Sequence, residues 1–69
     1  MNKEMILAIL VAYKAFNDKS LTIRTNEYVA NNAIIDSIDG DNISFLSWTN
    51  SGVYCKTVNI NDIVGIQFQ

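Results

Sequence analysis

Apolar residues form one unbroken run near the start of the chain and short alternating runs after it, separated by clusters of Asn, Asp, Ser and Gly. Residues 5–13 are apolar without interruption. The run is far short of the ~20 residues that a membrane-spanning helix needs. Lys14 ends it, and Glu4 stands where a secretory leader would carry basic charge. It therefore predicts a folded helix within residues 1–19. At 3.6 residues per turn, Met5, Ile6, Ile9, Leu10, Tyr13 and Phe16 share one broad face edged by Ala8, Ala12 and Ala15, and that face is the expected core side. Leu7 and Val11 fall on the other side among Lys3, Glu4 and Lys14. There they are either singly exposed aliphatics or a face covered by a second subunit or partner.

Asn17-Asp18-Lys19-Ser20 supplies helix-ending polar residues, and the periodicity then changes from helical to alternating. Leu21 and Ile23 alternate with Thr22 and Arg24, a half-buried strand over 21–24, with Thr25-Asn26-Glu27 as its turn. Residues 28–39 are long for one strand. Asn31-Asn32 interrupts them with side chains that bond their own backbone and tolerate unusual dihedrals, so a bulge or bend is expected there. At Asp39-Gly40-Asp41-Asn42 the chain turns, with Gly40 free to take positive φ. The third strand, 43–49, carries Ile43 and Phe45 on one face and Leu46 and Trp48 on the other. Neither face is polar, so which one meets the core stays open, and such a strand is central or covered on both sides. Asn50-Ser51-Gly52 leads into a fourth strand over 53–60. Asn61-Asp62 breaks it with about one turn of 3₁₀ helix at 61–63, and a fifth strand closes the chain. The expected fold is mainly β, an N-terminal helix followed by a five-stranded antiparallel small barrel, as one domain over 1–69.

A 69-residue chain buries only ~60% of the surface its unfolded form exposes, and a core of this size supplies about 3–5 kcal/mol, so further sources of stability matter. Cys55 is the one cysteine and there is no His, which rules out an intrachain disulfide and a closed Cys/His zinc site. Packing and self-association remain, so a homo-oligomer is expected. The net charge is -2, and Lys3, Lys14, Lys19, Arg24 and Lys56 are scattered, which disfavours RNA and other polyanions as partners. No membrane partner is expected, and the cytoplasm is the expected compartment. Nine Asn and ten Ile are the bias an AT-rich coding sequence produces, a hint about source that carries no mechanism.

The chain offers little catalytic or metal-binding chemistry. Without His, a Ser, Thr or Cys nucleophile would need a carboxylate, a Lys or the terminal amine as its base. Cys55 reads as a small buried hydrophobe, and the adjacent Lys56 points to the opposite face of the strand. A calcium loop begun at Asp39 would need Glu at its twelfth position, which is Asn50. Gly40, Gly52 and Gly65 are isolated, so no phosphate loop exists. No catalytic residue, metal ligand or cofactor is assigned, and the protein is not expected to be an enzyme. Trp48 and Tyr54 are the residues best able to hold a ligand or partner, against core packing of both as the bland account. With three residues in the loop 50–52, Trp48 pairs with Tyr54 and Leu46 with Lys56, making an aromatic–basic patch. With two, Trp48 pairs with Val53 and the patch dissolves.

The helix, the bent second strand and the segment Val58-Asn59-Ile60-Asn61-Asp62-Ile63-Val64-Gly65-Ile66 together resemble the small-barrel superfold of Sm-like and SH3-like proteins. That resemblance implies the barrel architecture and a tendency to form rings. Asp39-Gly40-Asp41-Asn42 is similar to the Sm motif in which an Asp precedes an Asn around a uracil-contacting turn, at a spacing one residue shorter. Asn59, Asn61 and Asp62 stand where that family's RNA pocket carries Arg or Lys. The expected function is a non-enzymatic binding module. It would self-associate through an edge strand or the Leu7/Val11 face and meet a protein or small ligand with Asn31, Asn32, Trp48, Tyr54 and Lys56. The alternative is an Sm-like ring that binds nucleotide or RNA, including a phage-type protein that sequesters a nucleotide messenger.

Overall fold

Helix α1 (Lys3–Lys14) starts where Asn2, in extended backbone, turns its side-chain oxygen onto the amides of Glu4 and Met5, at 2.7 and 3.3 Å. In the computed structural model, which describes residues 2–16 and 19–68, five antiparallel strands follow it. They are β1 (Leu21–Thr25), β2 (Val29–Asp39), β3 (Asn42–Thr49), β4 (Gly52–Asn59) and β5 (Ile63–Phe68), with a 3₁₀ turn, η1 (Ile60–Asp62), before the last. The helix-ending turn expected at Asn17-Asp18 lies outside the described residues.

The strands form one sheet in the order β4-β3-β2-β1-β5. The expected bulge at Asn31-Asn32 is present. Ile23 faces Ala30 and Leu21 faces Ala33, so β2 carries one extra residue there, and Asn32 adopts a φ of +56°. A second extra residue, Asp36, falls between the pairs Ile35/Phe45 and Ser37/Ser44. These irregularities bend β2 enough for it to pair with β1 at one end and β3 at the other. Gly40 takes a φ of +59° at the first central position of the two-residue turn between β2 and β3, the place where a II′ hairpin needs glycine.

The sheet does not close. β4 and β5 are its two edges, and no pairing joins them, which corrects the barrel expectation. The three residues of η1 carry the chain from β4 across to β5, which pairs with β1. The loop at 26–28 lies opposite the end of β4, with a hollow of about 230 Å³ between them.

The core lies between the inner face of the sheet and α1. Ile6 and Leu10 meet Leu21 and Ile23 of β1, Ala33 and Ile35 of β2, and Ile43 and Phe45 of β3, closed off by Val58, Ile60 and Ile63. Thus the Ile43/Phe45 side of β3 is the core side. The helix is rolled relative to the expected face. Leu7 and Tyr13 pack against the core while Met5 and Phe16 are exposed, so Leu7 is on the core side and Val11 remains outside. Contacts at both ends accompany that roll: Lys3 Nζ meets Asp41 Oδ2 at 3.1 Å, and Tyr13 stacks on Phe68 with ring centroids 5.5 Å apart.

Candidate functional site

The register of the β3–β4 hairpin decides which side chains come together. Thr49 pairs with Gly52, so only Asn50 and Ser51 form the turn. Trp48 then faces Val53 and Leu46 faces Cys55, while Ser47 faces Tyr54 and Phe45 faces Lys56. Because Phe45 is core, Tyr54 and Lys56 project from the inner face, beyond the part that α1 covers. Trp48 and Tyr54 are therefore on opposite faces, and the combined aromatic–basic patch does not form. Neither aromatic is core, at 42% and 45% exposed.

On the inner face, Lys56 finds a different aromatic partner. Its Nζ lies 4.5 Å from the centroid of the Tyr28 ring, a cation–π contact across the open part of the curled sheet. Tyr28 is held there by a hydroxyl-capped turn. The Thr25 amide donates to the Tyr28 carbonyl at 2.9 Å, and Thr25 Oγ1 accepts from the amides of Glu27 and Tyr28 at 3.2 and 3.0 Å. Sequence reasoning missed Tyr28. The available signal was a Thr three residues before an aromatic, able to fix the ring rather than leave it on a loose loop.

Two hollows share Tyr28 as a wall. One, of about 200 Å³, is lined by Tyr28, Ala30, Ser47, Tyr54 and Lys56 with Val29 and Thr49 at its rim. Its floor is small and satisfied: Ala30 is buried, and the buried Ser47 hydroxyl donates at 2.9 Å to the Asn31 carbonyl, which the β2 bulge leaves available. Small residues at these two positions make the space. The other, of about 230 Å³, is polar, with Asn26, Glu27, Asn59 and Asp62 around it. Burial raises the Tyr28 phenol above its ordinary value, and the carboxylates of Glu27 and Asp62 push it further in the same direction.

The other residues singled out in the sequence sit elsewhere. Asn31 and Asn32 form the exposed bulge, where Asn31 Oδ1 lies 3.4 Å from Thr22 Oγ1. Asn31 serves the hollow through its backbone carbonyl. Cys55 is exposed on the outer face of edge strand β4, which corrects the buried assignment, since β4 has no neighbour on its far side. Among the described residues no group of three or more His, Cys, Asp or Glu side chains could hold a metal ion, and no helix is long and apolar enough to cross a membrane. No family model matches this chain, and no curated protein or solved structure shows significant similarity to it.

Proposed function

We propose that this chain is a non-catalytic binding module of the cytoplasm that self-associates through its unpaired sheet edges and receives a small molecule or a protein segment in the Tyr28–Tyr54–Lys56 hollow. The observation that carries the ligand half is the Lys56 ammonium resting on the Tyr28 ring beside a hollow floored by Ala30 and Ser47. Aromatic walls, a small floor and one cation are the features of a site that binds a ring-bearing ligand. Self-association is supported by β4 and β5, two open edges on one short chain, and by the exposure of Val53 and Val64 along them. Light scattering across a dilution series is expected to give a mass above the 7.7 kDa of one chain; a monomer at every concentration sinks the assembly half.

A second reading, an Sm-like ring that takes nucleotide or RNA, is favoured by the strand order, with the helix before β1 and the 3₁₀ turn before β5. Tyrosine rings can stack on bases without much net charge. Binding of an oligonucleotide that weakens steeply with salt supports RNA, and tight, weakly salt-dependent binding of a mononucleotide supports sequestration. Binding of neither returns the choice to a protein partner.

A further inference from the structure

The charge around Tyr28 narrows what its apolar hollow can accept. Lys56 Nζ has no carboxylate within ion-pair distance among the described residues; the ion pair there is Lys3 with Asp41, elsewhere on the molecule. The ammonium is therefore held by a ring, an attraction that leaves N–H donors unused. Both aliphatic hydroxyls in the hollow are committed, Ser47 to the Asn31 carbonyl and Thr49 to the amide of Ser51 and the carbonyl of Gly52. What the walls offer an incoming molecule is two phenol rings and one cation. At about 200 Å³ the space is below the ~300 Å³ where sites for drug-sized ligands begin, so it suits about one ring system. Beyond the Tyr28 ring stand Glu27 and Asp62, lining the polar hollow. Their field opposes each added negative charge, so one charge is matched by Lys56 and a second is not.

Resting on the binding-module reading, we infer that this hollow takes a small planar molecule bearing a single negative charge, its ring against Tyr28 and Tyr54 and its acid group on Lys56. A carboxylate and a phosphodiester share that chemistry, and matched probes separate them. Benzoate is compared with benzamide, and methyl phenyl phosphate, a phosphodiester, with anisole, by following amide resonances of Ala30, Ser47 and Tyr54 in the full chain. In at least one pair the anion is expected to bind about 10-fold tighter than its neutral partner, the effect of one charge-assisted contact. Lys56→Gln should abolish that preference, bringing the anion's affinity down to that of its neutral partner. Tyr28→Leu should weaken both members of the pair, and Trp48→Ala, on the opposite face, neither. The pair that shows the preference identifies the acid group. Equal affinity within both pairs, a preference that survives Lys56→Gln, or shifts confined to other residues overturns the inference. Those outcomes leave self-association untouched, because the mass in solution reads it separately.

Discussion

Asn32 illustrates how much one backbone angle can decide. Its φ of +56° puts the extra residue of the bulge in the left-handed region, which Asn tolerates and branched side chains do not. The neighbouring Asn31 carbonyl is thereby placed to satisfy the buried Ser47 hydroxyl. Asn32→Val is expected to cost roughly 1–2 kcal/mol in denaturant unfolding and Asn32→Gly only a few tenths, since glycine reaches the same angle freely. Equal losses for both would move the cause from the angle to the side chain. Tyr28 carries a prediction about pH. The folded chain holds the Tyr28 proton more tightly than the unfolded chain, so the associated stability is complete below the ordinary tyrosine value near 10 and is lost as pH climbs through the raised one. Thermal melts from about pH 8 to about pH 11 should show an alkaline decline that is shallower in Tyr28→Phe. A decline of the same steepness in the variant would assign it to other groups.

Within single elements, short-range chemistry leaves clear marks, and these were legible in the sequence. The turns at Gly40 and at 50–51, the Asn31-Asn32 bulge and the 3₁₀ turn all fall within a residue of where their Gly, Asn and Asp clusters place them, because those residues act on their own backbone. Long-range choices were not legible. One residue more in the β3–β4 turn would have put Trp48 opposite Tyr54, and local propensity does not distinguish the two lengths. The roll of α1 was likewise hidden, because Met5 and Phe16 are apolar too, and which of them is covered depends on how the helix packs on the sheet. Nothing in the spacing of Tyr28 and Lys56 shows that they meet across the curled sheet. The roll has a measurable consequence. Leu10→Ala, at a fully buried position, should cost about 2–5 kcal/mol, and Asn2→Ala about 1 kcal/mol through the lost cap. Val11→Ala should cost within about 0.5 kcal/mol in the monomer, since Val11 is exposed. The roll itself is read at Leu7 and Met5: Leu7→Ala should cost more than Met5→Ala, and the reverse order would contradict it.

At the scale of the whole molecule, the open sheet leaves β4 and β5 each with one side that no other strand of the chain covers. Two edges present unpaired backbone donors and acceptors, and one of them, β4, is eight residues long and exposed over most of its length. Natural edges are commonly blunted by charge, yet β5 carries no charged residue and β4 only Lys56, which points inward to Tyr28. Pairing with other copies would satisfy both edges, and its symmetry can be read by complementation. If β4 of one copy adds to β5 of the next, the contact is heterologous, and each copy donates one edge and accepts another. If β4 pairs with β4, the contact is isologous and β5 is a bystander. Val53 and Val64 lie on the two edges with more than half their surface exposed, so lysine at either position leaves the core intact and blunts one edge. Under the heterologous arrangement Val53→Lys and Val64→Lys each lower the mass on their own. Mixed in equal amounts they form a dimer, because the intact β5 of the first meets the intact β4 of the second. Under the isologous arrangement Val64→Lys keeps the wild-type mass and mixing rescues nothing. We expect the heterologous result, since it alone leaves no internal edge unpaired, and light scattering of the two variants apart and mixed decides between them.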